Sequence, residues 1–343
     1  MRVTVNDIAR AANVSQTTVS RVLNNYPQVK EATRKKVLDA IEELNFSPNI
    51  VARSMITNKT YTLGLIVGDI SNPFFAESSK IIIEKAQKLG YDVIISNTNH
   101  NDGNLESAIQ TLLNKRVDGI LISSAYSTNK KVQELHDSGF PIVLFVNKTD
   151  ADANFVVLDN EKGARLAIDH LVQLGHEKIA FVCGPLKYSA IHDRYIGYKN
   201  ALKNYGLELR DEFIYKQEIS YEDTYSFVDN LLSMKHTPTA FFAASDQIAL
   251  TIMDAAVNNH YNIPEDLSII GFDNISISSN QYIGLTTISQ QKEKMSLAAL
   301  EKLILLIEKG DTVSTPIQMT LEPELIIRKT SNSPSVYKVK GSR

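Results

Sequence analysis

A single cysteine, Cys183, occurs in the 343 residues, so an internal disulfide is excluded and a reducing compartment is expected. It lies in the apolar run IAFVCG, which reads as a buried, inert thiol. No stretch approaches the roughly 18 consecutive apolar residues of a membrane helix. The opening MRVTVNDIARAANVS lacks the basic-then-apolar order of an export signal, so no membrane partner and a cytoplasmic location are expected. Three nucleotide and nucleophile signatures are also missing: G-x-G-x-x-G, G-x-x-x-x-G-K-[ST] and G-x-S-x-G. The seven histidines are scattered without metal-ligand spacing. An enzyme reading therefore has no constellation to rest on, and no cofactor or metal is expected.

What is present describes an ordinary globular chain, 43% hydrophobic and 22% charged, long enough for two or three domains of about 100–150 residues. The net charge of −3 hides an asymmetry. Through Thr60 there are nine Lys/Arg and five Asp/Glu, which makes the first segment +4 and the remainder −7. A basic head on an acidic body points to a polyanion partner for the head alone.

Three short helical patterns fill that head. Thr4 with Asp7 has capping-box spacing, and Ile8 and Ala11 then recur at helical spacing. The first helix is expected to stop at Ala12-Asn13, since Asn tolerates the left-handed conformation of a tight turn. Ser15 caps a second helix, QTTVSRVLNN, with Val19, Val22 and Leu23 inward. A third runs through EATRKKVLDAIEELNF with Val37, Ile41 and Leu44 on its apolar side. Two short helices joined by a tight turn and braced by a third form a helix-turn-helix, whose second helix enters the major groove. Gln16, Thr17 and Arg21 would then face outward, with Gln suited to adenine and Arg to guanine. A plain three-helix bundle with polar surface residues fits the same pattern.

The blocks VTVNDIA, NVSQTTVSRVLN, TRKKV and SPNIVARSM decide between these, because together they resemble the LacI/GalR family head along its whole length. The resemblance adds Thr4, Ser15, Thr18, Ser20 and Asn24 to the expected DNA-contacting set. One departure is Lys30, where the family commonly has a Ser cap. Ser47 and Pro48 could start a short hinge helix reaching about Ile56. In the family such a helix folds on operator DNA as a pair from two subunits. Met55 occupies the place of the apolar wedge that enters the minor groove, and Ala52 is its small neighbour.

From Thr62 the pattern alternates between strands and helices. TLGLIVGD, YDVIISN, VDGILISS, PIVLFVN and FVVLDN come first, followed by KIAFVCG, FIYKQE, TAFFAAS and LSIIGFD. Alternation of this kind argues for parallel sheets covered by helices, here in two successive groups with a break near Asp159. The expected class is a small all-α helix-turn-helix domain followed by an α/β core of two parallel-sheet lobes, which resembles a periplasmic binding protein. The expected boundaries are 1–46 for the head, 47–59 for the hinge, 60–331 for the core and 332–343 for a polar tail. The chain would return to the first lobe near 290.

Ligands of open α/β sheets lie beyond the carboxyl ends of the strands. Carried over position by position, the family's effector contacts fall on Phe74, Phe75, Asn147, Arg194, Ser245 and Asp273, with Tyr188 as a specificity candidate. Arg offers a fork of donors and carboxylate or amide accepts hydroxyl protons, while an aromatic face covers a sugar ring. The bland alternatives are a structural Arg-Asp pair and core phenylalanines, and Asp246 reads as a cap of the following helix. Asn147 and Ser245 depart from the commoner Asp and Asn of the family.

The resemblance implies a sequence-specific transcriptional regulator, a repressor of carbohydrate genes under a small sugar-like effector. A homodimer on a pseudo-palindromic operator is expected. The tail KTSNSPSVYKVKGSR has no heptads and favours a dimer over a tetramer. Two other readings stand beside it: control by a phosphorylated carrier protein, as in the catabolite control branch, and a sugar-binding transport component.

Overall fold

The structure, a computed structural model, describes residues 3–23, 26–44, 59–126, 128–149, 152–309 and 315–334. They fall into two compact units, residues 1–60 and 61–343. Asn24, Ala52, Met55 and the expected hinge helix lie outside the described residues.

The head contains α1 (Val5–Ala11), α2 (Gln16–Leu23) and α3 (Glu31–Glu43), packed around Ile8, Val19, Val22, Val37 and Ala40. Asp7 closes the start of α1 by accepting from the Thr4 backbone N–H at 2.9 Å and from its hydroxyl at 2.6 Å. Those bonds draw its carboxyl below the usual carboxylate range. Asn13 takes the left-handed conformation, with φ 52°, that the tight turn needs. Ser15 Oγ then accepts from Thr18 N at 3.1 Å, capping α2. Lys30 precedes α3 and supplies no such bond. The inward face of α1 differs from expectation: Ala9 and Ala12 are buried with Ile8, while Ala11 is exposed. The apolar stripe runs through i, i+1 and i+4, which a pattern built on Ile8 and Ala11 alone misses.

The core begins with β1 (Thr62–Val67), α4 (Pro73–Lys88), β2 (Asp92–Asn97), α5 (Asp102–Asn114) and β3 (Gly119–Ile122). The first lobe continues with α6 (Lys130–Asp137), β4 (Ile142–Phe145) and β5 (Phe155–Leu158). After Asp159 the chain builds a second lobe from α7 (Asn160–Gln173), β6 (Ile179–Val182), α8 (Ser189–Asn204) and β7 (Ile214–Tyr215). It goes on through α9 (Tyr221–Ser233), β8 (Ala240–Ala243), α10 (Asp246–Asn258), β9 (Ser268–Asp273) and β10 (Thr286–Ser289). Then α11 (Lys292–Lys309) returns to pack on β3 and β4. Next β11 (Gln318–Leu321) joins β5, and β12 (Glu324–Ile326) joins β10.

The two six-stranded sheets have orders β2-β1-β3-β4-β5-β11 and β7-β6-β8-β9-β10-β12. The arrangement is the same in both, and only β10 with β12 is antiparallel. Strands β3, β4, β6 and β8 are buried along their whole length, as parallel strands covered on both faces must be. Strand order reverses between β1 and β3 and again between β6 and β8, which sets a crevice at the carboxyl ends of each sheet. The chain crosses between the sheets after Leu158, Ser289 and Leu321.

Cys183 is buried; its thiol donates to the Tyr215 carbonyl at 3.2 Å, and burial pushes it up to about 12. At the far end of the second sheet, buried His176 donates from Nε2 to the Asn332 carbonyl at 2.8 Å. Asn332, expected as the first residue of a polar tail, is therefore pinned to the second lobe.

Candidate functional site

One cavity of about 450 Å³ opens between the two lobes at the carboxyl ends of the strands. Phe74, Phe75, Asn147, Tyr188, Arg194, Ser245 and Asp273 all line it. The sequence scatters these seven over some two hundred positions, and the crossovers bring them together.

The first lobe supplies an aromatic wall. Asn72 caps α4, its Oδ1 accepting from Phe74 N at 3.0 Å, and Pro73 sits at the first helical position. That turn presents Phe74 and Phe75 edge to face, with ring centroids 5.4 Å apart. Both are buried in the core and also line the cavity. His100, which the sequence did not single out, continues the wall at 6.2 Å from Phe75 and 5.5 Å from Tyr188. Its ring occupies the space over Gly68, where a Cβ would come within 2.3 Å of it. Partial desolvation lowers the His100 pKa and so favours the neutral ring, although the residue keeps an exposed surface. Tyr188 reaches across from the second lobe, its hydroxyl donating to the His100 carbonyl at 3.2 Å.

The second lobe supplies buried charge. Arg194 on α8 is buried, with Nε donating to Asn160 Oδ1 at 2.8 Å and Nη1 to the Ala244 carbonyl at 2.5 Å. Its guanidinium lies 3.6 Å from the centroid of the Phe272 ring. Burial brings Arg194 down to about 10, so it stays cationic at neutral pH. Asp273 is pushed up to about 7 by burial and by the neighbouring Asp246, against the pull of Arg194. Its carboxylate accepts from Gln290 Nε2. Two buried atoms on this wall, Arg194 Nη2 and Gln290 Oε1, have no hydrogen-bond partner. The backbone at Asp273 and Asn274 takes φ of 134° and 57°, a strained turn for side-chain-bearing residues.

Asn147 and Ser245 also have local duties. Asn147 Nδ2 donates to the Ser123 carbonyl at 2.8 Å, while Oδ1 accepts from Ala190 N at 3.2 Å. It thereby ties the first lobe to the start of α8. Ser245 Oγ accepts from Ile248 N at 3.2 Å and caps α10, which leaves its proton to donate elsewhere. The expected cap, Asp246, does something else. Its carboxylate accepts from Ile275 N at 2.9 Å and from the hydroxyls of Ser278 and Thr287. It therefore braces the loop after β9. Gly271 is what allows this, since a Cβ there would lie 2.2 Å from Asp246 Oδ1.

Sequence reasoning missed His100, Asn160 and Gln290. Asn160 opens α7 directly after the FVVLD strand and could have been found there. Gln290 follows β10, a TTIS strand too short and polar to be read. In the head, Gln16, Thr17 and Arg21 are exposed on α2, whereas Thr18 and Ser20 are half-buried. Ser15 Oγ lies 2.8 Å from Thr18 Oγ1, and exposed Thr4 holds Asp7.

Residues 4–49 match the family model for bacterial regulatory proteins of the lacI family. Residues 60–329 match the one for periplasmic binding proteins and the sugar-binding domain of the LacI family. The chain belongs to the LacI family. It is 38% identical to catabolite control protein A of Priestia megaterium, over 93% of this chain and 97% of that one. It is 35% identical to the transcriptional repressor PurR of Actinobacillus pleuropneumoniae serotype 3, over 95% and 98%. Among solved structures, a lac repressor dimer bound to operator and the anti-inducer ONPF matches with a TM-score of 0.85 and 28% identity, covering 97% of this chain and all of that one. A complex of the regulator CelR with cellobiose matches with a TM-score of 0.70 and 26% identity, over 96% of this chain. This LacI-family chain is thus a DNA-binding transcription regulator with a periplasmic-binding-protein-like core.

Proposed function

We propose that the chain is a dimeric repressor whose grip on a pseudo-palindromic operator is set by a small polyhydroxylated effector held between the lobes. The observation that carries the effector half is the pair of buried, unpartnered atoms, Arg194 Nη2 and Gln290 Oε1, on the wall of one cavity. Buried polar atoms are nearly always satisfied, and a ligand hydroxyl accepting from one and donating to the other satisfies both. Asp273 accepts a further hydroxyl, Ser245 donates, and the Phe74 and Tyr188 rings cover the apolar side of the ligand. Asn147 couples occupancy to lobe closure through its bond to Ala190.

In the head, exposed Gln16, Thr17 and Arg21 read base edges from α2. Thr4, Ser15, Thr18, Ser20 and Asn24 hold the backbone, and Ala52 and Met55 serve the minor groove. Met55→Gly is expected to weaken operator binding while leaving binding to random DNA nearly intact, and gel-shift titrations against both DNAs check it. This reading places the protein in the cytoplasm and gives it no catalytic role, in keeping with relatives that are transcription regulators.

Calorimetry with a sugar panel on wild type, Arg194→Ala and Gln290→Ala tests the effector site. Binding in wild type that both substitutions weaken is expected. A second reading, control by a phosphorylated carrier protein, draws on the relative named catabolite control protein A. No binding across a broad panel would favour it.

A further inference from the structure

The outer half of the cavity carries information about the effector that the inner half does not. At the inner end stand Arg194, Asp273 and Gln290. The outer end is formed by Glu218 and Tyr221 and by one face of α10 through Gln247, Thr251 and Asp254. From Ser245 to Asp254 that helix runs about 13 Å at 1.5 Å per residue. A single pyranose ring seated against Arg194 leaves the far end of this wall untouched. Two rings joined end to end reach it, and meet there the apolar Ile219 and Ile248 as well as polar groups.

Charge is the second observation. Among the described residues that line the cavity, Arg194 is the sole Lys or Arg, and it already faces Asp273. Three further carboxylates line the same space: Asp69, Glu218 and Asp254. Asp69 accepts from Ser71 N at 2.9 Å and from the Ser71 hydroxyl, and Asp254 accepts from the Tyr221 hydroxyl at 3.3 Å. The nearby cation Lys187 lies 3.9 Å from Glu218 and answers that one charge. A phosphate entering this space would lose water and meet a surplus of negative charge, which disfavours binding.

Resting on the effector reading above, we propose that this cavity takes an uncharged carbohydrate of at least two rings, and that its acidic outer wall turns away phosphorylated sugars. Calorimetry on the full-length protein tests this with neutral disaccharides (maltose, cellobiose, sucrose, trehalose), their 6-phosphates, glucose and glucose 6-phosphate. At least one neutral disaccharide is expected to bind tenfold or more tightly than both its own 6-phosphate and glucose. In the double variant Glu218→Gln/Asp254→Asn, the ratio between phosphorylated and neutral dissociation constants is expected to fall at least threefold at low salt. Rejection of the phosphate should also weaken as salt screens the wall.

A phosphorylated sugar or glucose that binds as tightly as any disaccharide, and is lost in Arg194→Ala or Gln290→Ala, would overturn the proposal while leaving the effector site standing. An unchanged ratio in the double variant would overturn the role of the outer wall. Absence of binding by every probe, or binding indifferent to both inner-wall substitutions, would remove the effector reading and this proposal with it.

Discussion

In the head, Gln16, Thr17 and Arg21 stand exposed on a helix of eight residues, whereas in the core Arg194 and Asp273 are almost wholly buried between lobes. The head's polar residues cost nothing to keep in water and acquire their partners only on DNA. Those of the core are desolvated in advance and held by neighbours, Arg194 by Asn160 and the Ala244 carbonyl and Asp273 by Gln290. Substitutions of these exposed head residues should therefore change recognition without changing stability, and substitutions of the buried core pair should change both.

The strongest break of that contrast is Arg194→Ala. It removes the partners of Asn160 and the Ala244 carbonyl and leaves Asp273 facing Asp246 without a cation. A loss of about 3–5 kcal/mol in urea unfolding is expected, together with loss of effector binding. The loss should be larger at pH 8 than at pH 5.5, where Asp273 can take up a proton.

Asp273→Asn sharpens the same contrast through pH. Because its folded pKa is raised to about 7 from 3.8, its contribution to stability is fully present below pH 4 and disappears as pH rises through 7. The span is up to roughly 4 kcal/mol. Buried His176 and the more exposed His100, both with lowered pKa values, act in the opposite direction at mildly acidic pH. Subtracting the Asp273→Asn profile from the wild-type profile isolates the aspartate, and a flat difference between pH 5 and 8 would count against its burial.

In the head, Arg21→Ala or Gln16→Ala should cost about 1–3 kcal/mol of operator affinity. Thermal stability should move by less than about 0.5 kcal/mol. Through capping rather than recognition, Ser15→Ala should cost about 1 kcal/mol of stability by uncapping α2, and Lys30→Ser should recover a similar amount at α3. Thermal melts of the full chain check both.

The contrast also explains what could be read beforehand. The helix starts at Thr4 and Ser15 and the strands β1 to β9 are local features, set by caps and apolar runs, and they were legible. The cavity residues were legible one at a time, from short blocks beside strand ends. Their joint burial was not, because it depends on three crossovers between sheets. Strands β10, β11 and β12 are short, carry Thr, Ser, Gln and Glu, and owe their existence to a neighbouring strand. Gln290 and the bracing role of Asp246 were hidden for that reason: each depends on β10 pairing beside β9, which sets Gln290 against Asp273 and Thr287 against Asp246. His100 was missed because its place rests on a left-handed backbone and the absence of a side chain at Gly68.

The most direct test of the account couples its two halves. DNA selected from a random pool by the full-length protein should yield a pseudo-palindromic site. Fluorescence anisotropy on that site should then show a dissociation constant that shifts by at least about fivefold when the effector found by calorimetry is added. The same addition should shift Arg194→Ala or Gln290→Ala far less. Selection without a palindrome, or an operator affinity indifferent to a ligand bound at Arg194, would contradict it.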